Sequence, residues 1–483
     1  MRQNNVNDLN FILKGSICYS KTQQELKTVQ AGFLVCEEGI SQGVFCSINE
    51  IPEKYRDYPV LDYSNQIIIP GLVDLHVHGS QYAYRGLGMD LELIDWLNTY
   101  AFPEESKYSD LAYAEAAYEV FVQDLKNGAT TRASVYATLH VPATLLLMEK
   151  LEATGLVTYV GKVNMDRNSP SYLCEDLSDH STHSTHSTHS TKKWLERYFE
   201  SENETKNESN SELKNVSKNK FKNTFPIITP RFVPTCSDGL MTMLKELQRE
   251  YKLPVQSHIS ENQGEIAWVK RLHPNAGSYG EVYDSFGLFG GPDTPTIMAH
   301  CIWSKDREEE LLKERGIYVA HCPQSNINLA SGIAPIRRFL KKGIKVGLGS
   351  DVAGGFTTSI FRAMSDAIQS SKLYWRLVDQ NDKPLTEKEV FYMATLGGGE
   401  FFGKVGSFEA GYEFDAVVIN DSSISKRLPF DANTEGSSIS KGLPLDSKTE
   451  ESSLTIEERL ARIIYLYDEC TIAAKFVKGA RID

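Results

Sequence analysis

A chain of 483 residues, 41% of them hydrophobic, is longer than one ordinary domain and can bury a substantial core. Its formal net charge of −13 argues against nucleic acid as a partner held by phosphate attraction. Eight cysteines without a Cys-x-x-Cys pair, a polar start (Met1-Arg2-Gln3-Asn4-Asn5) and no apolar stretch near the ~20 residues of a spanning helix predict a soluble, cytoplasmic protein with no membrane partner.

Residues 1–66 carry short apolar runs such as Gly32-Phe33-Leu34-Val35 and Gly43-Val44-Phe45-Cys46 between polar turns, the pattern of a small β unit. From residue 67 apolar strands alternate with helical patterns, for instance 110–127, 239–251 and 305–315. Eight such strands are predicted: 67–76, 129–135, 157–163, 225–232, 254–258, 296–300, 317–321 and 344–351. The alternation predicts an α/β fold, a TIM-type (β/α)8 barrel over 67–403. Past residue 404, Glu413–Ile419 and Ala473–Gly479 read as strands again. The simplest arrangement folds 1–66 and 404–483 together into one small β-sandwich. Two segments read as surface insertions: 178–222, with a Ser-Thr-His repeat holding His183, His186 and His189, and 421–453, with a period-15 repeat.

The chemistry concentrates at strand ends. His76-Val77-His78 follows the apolar run Ile67–Leu75, and imidazoles at i and i+2 on a strand point to one side. A buried strand gains nothing from two histidines unless something binds them. Strand five ends in His258, strand six in His300, strand seven in His321 and strand eight in Asp351. Of the chain's 11 histidines, five sit where barrel enzymes place their catalytic groups. Three imidazoles and a carboxylate suit Zn²⁺, one per chain, with Fe²⁺ the other candidate; His76, His78, His258 and Asp351 are the expected ligands. His300 reads as a group that hydrogen-bonds the metal-activated water, or alternatively as a fifth ligand. Glu261, just past strand five, is placed to carry a proton between water, substrate and leaving group, or is an ordinary loop glutamate. Strand four ends in Thr229-Pro230-Arg231-Phe232, where two-metal hydrolases of this architecture commonly use a modified bridging lysine. The nearest lysine, Lys162, lies on strand three, so one metal is expected. Arg231 then offers a fork of donors to a substrate, and Phe232 either stacks on a flat ring or simply packs.

Pro70–His78, Ser257-His258-Ile259-Ser260-Glu261, His321–Asn326 and Gly349-Ser350-Asp351 resemble the amidohydrolase superfamily. Gln81-Tyr82-Ala83-Tyr84, Trp96–Glu105, Gly161–Asp166, Thr229–Phe232 and Gly349–Gly355 are similar to the guanine deaminase family within it. That resemblance covers most of 67–420. It implies hydrolysis of guanine by water to xanthine and ammonia on a single zinc, in a homodimer. It further implies that Gln81 and Arg231 hold the purine edge, with Phe232 packed against the base and His258 beside it. Glu261 would protonate the ring nitrogen and Asp351 would take the water proton. The rival readings are deamination of another purine, a pterin or a triazine, and an inactive barrel serving as a scaffold. The His-x-Glu and Pro-Cys-x-x-Cys motifs of the other zinc deaminase fold do not occur.

Overall fold

A computed structural model describes residues 9–175, 187–203, 220–424 and 454–482. The N-terminal strands are Phe11–Ser20 (β1), Leu26–Glu37 (β2), Ile40–Phe45 (β3) and Val60–Pro70 (β4). Next come Leu72–His78 (β5), Thr130–Tyr136 (β6), Val157–Gly161 (β7), Val163–Asn164 (β8), Thr224–Pro226 (β9) and Thr229–Pro230 (β10). Val255–Ile259 (β11), Thr296–His300 (β12), Tyr318–His321 (β13) and Lys345–Leu348 (β14) follow, and Ala416–Asn420 (β15), Thr471–Val477 (β16) and Ala480–Arg481 (β17) close the chain.

Two four-stranded parallel sheets, β5-β6-β7-β9 and β11-β12-β13-β14, form the central part. A parallel bridge between Ile228 and Val255 joins one pair of their edges. The other edges meet where Asp351 N donates to His76 O at 2.8 Å and His78 N donates to Val352 O at 3.1 Å. Helices follow the strands, among them Leu111–Asn127, Val141–Glu152, Asp238–Tyr251 and Ile360–Leu377. Phe121, Leu147, Leu240 and Phe361 from these helices share one core with Val77, Val135 and Val160 of the strands. A second cluster, with Val73, Leu75, Ile297, Ala299 and Ala320, is built mainly from strand residues. The strand ends are therefore held from two sides, which suits them to carry a precise site.

Both chain ends meet in one seven-stranded sheet of order β17-β16-β15-β4-β1-β2-β3. The sheet curls over Phe11, Leu34, Phe414 and Phe476, and its far parts touch where Ile40 bridges Glu413. Its C-terminal portion also contains a helix, Ile456–Leu466, which strand-only expectations left out. Arg132 on β6 donates to Asp415 at 2.6 Å and to Glu413 at 2.9 Å, a buried ion pair that ties the two sheets systems together.

Three elements differ from expectation. The run 67–76 is not one strand: Ile67–Pro70 pairs with β15 in the terminal sheet, and the chain passes into β5 at Gly71. A Cβ at Gly71 would lie 2.1 Å from Thr131 Oγ1, so this crossing needs glycine. The fourth strand, expected over 225–232, is two short pieces, because Pro226 and Pro230 have no N–H for a continuous ladder. Within the insertion expected over 178–222, Ser187–Asn203 forms a helix. Its Trp194 and Leu195 are fully buried, and Tyr198 donates to Thr224 O at 3.2 Å. These apolar residues anchor a segment whose polar composition conceals them. His183, His186 and most of the 421–453 repeat lie outside the described residues. Among the described residues, no helix is long and apolar enough to cross a membrane.

Candidate active site

His76 and His78 stand on one side of β5, Val77 between them entering the core on the other. Their Nε2 atoms lie 3.2 Å apart, and His258 Nε2, from β11, is 3.3 Å from His78 Nε2. Asp351 Oδ1 lies 3.1 Å from His76 Nε2 and 3.4 Å from His78 Nε2. Burial lowers the pKa of all three imidazoles, most strongly those of His78 and His258, whose histidine neighbours add to the effect. With the proton of each neutral ring on Nδ1, the Nε2 lone pairs converge on one point, an arrangement that suits a cation. A tetrahedral zinc with Zn–N bonds near 2.05 Å has ligand–ligand edges of about 3.3 Å, so this donor set fits such an ion. His258 Nδ1 lies 2.6 Å from Arg231 O; donating there leaves Nε2 bare for a metal.

Asp351 is buried, which alone would raise its pKa; the imidazoles of His76, His300 and His78 overcome this and hold its carboxyl well below the usual range. Asp351 and His300 both adopt positive φ, 47° and 74°, conformations that cost energy for non-glycine residues and collect at functional sites. Asp74 fixes the junction from beneath. Its carboxylate accepts from His76 N and Ser350 N, each at 3.1 Å, and from Ser350 Oγ at 2.5 Å.

His300 Nε2 lies 3.4 Å from Glu261 Oε2 and 3.7 Å from Asp351 Oδ2, and its Nδ1 is 2.9 Å from Asn326 Oδ1. Burial would lower its pKa, but Glu261 and Asp351 outweigh burial and raise it, unlike the other three rings. Glu261 accepts from Ser331 Oγ at 3.2 Å, and burial pushes its carboxyl up to about 7. Donor atoms of His76, His258 and His300 lie within 4.8 Å of one another, as do those of His76, Cys322 and Asp351, so His300 also lies within ligand range. His321 is pushed down to about 3 by burial and then by His300.

Above this cluster a cavity of about 420 Å³, mouth included, is lined by Gln81, Arg231, Phe232, His258, Glu261, His300 and Asp351. Leu93, Trp96, Leu97 and Leu329 complete its apolar walls. The structure thus brings every expected site residue except His76 to one cavity, and His76 lies directly against Asp351 and His78 in its floor. Arg231 is engaged by Glu105 and lies 5.0 Å above the Phe102 ring. Gln81 Nε2 donates to Glu105 at 2.8 Å, and Gln81 Oε1 accepts from Ala353 N at 3.3 Å. Lys162 is buried and paired with Glu175.

The model of the Amidohydrolase family matches residues 67–480. The chain belongs to the amidohydrolase family. This amidohydrolase is 36% identical over 442 residues to guanine deaminase from Dictyostelium discoideum, covering 91% of this chain and 87% of that one. It is 39% identical over 361 residues to guanine deaminase from Homo sapiens, covering 74% of this chain and 73% of the relative. A crystal structure of guanine deaminase from C. acetobutylicum, with guanine bound in its active site, matches with a TM-score of 0.82 and 42% identity, covering 98% of this chain and 100% of that chain.

Sequence reasoning overlooked the groups that orient this amidohydrolase's site. Asp74, Glu105, Asn326 and Ser331 each hold a site residue, yet none stands at a strand end with an imidazole to mark it. Asn326 sits in the His321–Asn326 motif and Glu105 in the Trp96–Glu105 motif, so the motifs contained them without revealing what they hold.

Proposed function

We infer that this amidohydrolase is a guanine deaminase, converting guanine and water to xanthine and ammonia. The observation that carries the reading is one cavity combining fixed ring-edge donors, Gln81 and Arg231, with two carboxyls of opposite protonation tendency, Glu261 and Asp351. The guanine deaminases among its relatives, one solved with guanine in its active site, support the same substrate.

We propose that His76, His78, His258 and Asp351 hold a single Zn²⁺, with Fe²⁺ the other ion suited to three imidazoles and a carboxylate. Arg231 at the end of strand four and the engagement of Lys162 by Glu175 leave no lysine to bridge a second ion. When bound, the metal lowers the pKa of water from ~16 toward ~7. Asp351, kept ionised by its histidine neighbours, accepts the water proton. Glu261, with a pKa raised to about 7, carries a proton near neutrality and gives it to the ring nitrogen beside the amine-bearing carbon. That carbon becomes electrophilic and the water oxygen bonds to it. Asp351 passes its proton to the amine, the C–N bond breaks with loss of ammonia, and the hydroxyl proton of the product returns to Glu261. His300, tied to Asn326, is poised to hydrogen-bond the attacking oxygen rather than to ligate. Arg231 and Gln81 hold the base by its edge, and Phe232 packs against it. The presence of all these groups favours an enzyme over an inactive scaffold.

The eight parallel strands read as a closed (β/α)8 barrel, supported by the Ile228–Val255 bridge and the Asp351–His76 hydrogen bond at the two seams. The curled terminal sheet reads as a β-sandwich on the same footing. A cytoplasmic location is supported by the buried free thiols of Cys18, Cys36, Cys236, Cys301 and Cys322, and a homodimer is implied by the resemblance. The decisive assay follows ultraviolet absorbance with metal-replete protein and guanine, adenine or cytosine. Guanine should be consumed to xanthine while the other two bases stay intact; no guanine turnover by metal-replete protein overturns the assignment.

A further inference from the structure

Two side chains read as grips on the base come from distant parts of the chain, and one buried carboxylate joins them. Glu105 lies in the short helix Phe102–Ser106, only 3% exposed. One of its oxygens accepts from Gln81 Nε2 at 2.8 Å, and the other accepts from Arg231 Nη1. Gln81 Oε1 is engaged in turn by Ala353 N at 3.3 Å, on the loop that follows Asp351. The amide of Gln81 therefore has one permitted orientation. Flipping it would set its oxygen against the Glu105 carboxylate and its N–H group against the Ala353 N–H. Each committed group keeps unused capacity: a second N–H on Gln81 and further N–H donors on Arg231. Glu105 itself is not among the residues lining the cavity.

We propose that Glu105 is a positioning residue for substrate specificity, fixing Gln81 and Arg231 as one rigid pair of donors for the oxygen-bearing edge of the base. The proposal rests on the guanine reading above. A glutamine at 105 has the same shape but only one accepting oxygen. Its amide N–H group would meet either the Gln81 amide or the Arg231 guanidinium donor to donor, so one of the two grips must turn away. The adjacent Glu104 supplies a natural contrast, because its carboxylate is occupied by Lys107 at 2.6 Å and by Tyr113 Oη and stands outside the cavity lining.

The test uses full-length, metal-replete wild type, Glu105→Gln, Glu105→Asp and Glu104→Gln. Steady-state constants are measured for guanine, together with the inhibition constant of 2-aminopurine, a base that lacks the ring carbonyl. For Glu105→Gln the guanine KM should rise at least ~10-fold with kcat within ~3-fold, while the 2-aminopurine inhibition constant stays nearly constant. Glu104→Gln should leave the ratio of the two unchanged. A purely structural role would weaken both ligands alike or reduce the amount of active enzyme without changing KM, and either result overturns the proposal. So does a wild type that does not distinguish guanine from 2-aminopurine. Where Glu105→Gln fails to fold, Glu105→Asp, too short to reach both partners, must show the same loss of preference, and failure of both variants to fold marks the carboxylate as structural. Absence of guanine turnover in the wild type itself counts against the guanine reading instead.

Discussion

The floor and the wall of the cavity are built differently. The floor, His76, His78, His258 and Asp351, stands at the ends of β5, β11 and β14, with strand hydrogen bonds and packed cores behind it. The wall, Gln81, Arg231, Phe232 and the apolar Leu93, Trp96 and Leu97, comes from connecting segments and is held by side-chain contacts to residues such as Glu105. A floor of this kind sets which chemistry is available, whereas a wall of this kind sets which ring is accepted. Damage to the floor should abolish the reaction, and damage to the wall should mainly change affinity and preference.

The largest effect is expected from the floor. His78→Ala removes one of four donors and should bring metal content, measured by atomic emission, to well under one per chain, with activity lower by at least ~10³-fold. If activity persists with normal metal content, His78 is not a ligand. Glu261 stands between floor and wall. Glu261→Gln should retain the metal and lose ~10²–10⁴-fold in kcat; rates near wild type would refute its role as proton carrier. For the wall, Arg231→Lys replaces a planar fork with a point charge and should raise the guanine KM by ~10-fold with a smaller change in kcat. A change confined to kcat would move Arg231 from recognition to chemistry.

The smallest effect is on stability, and its sign follows from Glu261. Its pKa is about 7 in the folded protein against an ordinary value of 4.5, because burial disfavours the charged form. Below pH ~4 the group is protonated in both states and contributes nothing to pH dependence. Between about pH 4.5 and 7 the unfolded state ionises first, so stability falls as pH rises, and above 7 the full penalty remains. Metal-free Glu261→Gln should therefore be more stable than metal-free wild type at pH 8, by up to about 3 kcal/mol, with the difference shrinking toward pH 5. Urea denaturation at the two pH values reads this directly; an equal difference at both would show that Glu261 is not the group responsible.

Floor and wall also differed in how far they could be read from residues alone. An imidazole at the end of an apolar strand is conspicuous, so the floor could be assembled from strand counting; Arg231 was legible at the end of strand four, and Gln81 followed from motif resemblance. Glu105 could not be, because what singles it out is contact with residues 24 and 126 positions away, which no local pattern encodes. Asp74 is the same case: next to a marked motif, its role depends on Ser350, 276 positions further on. Periodicity placed the strands but misjudged edges where two sheets share one apolar run, as at Ile67–Pro70, and where prolines interrupt a ladder, as at Pro226 and Pro230. The helix Ser187–Asn203 was hidden because three buried residues, Trp194, Leu195 and Tyr198, anchor an otherwise polar stretch.

A single-metal site that deaminates guanine can be tested by one titration. Metal-free protein is supplied with increasing Zn²⁺ while conversion of guanine to xanthine is followed by absorbance. Activity should rise in proportion to added zinc and level off at one equivalent per chain. A plateau at two equivalents, or guanine left unconverted with one zinc bound, would contradict the account.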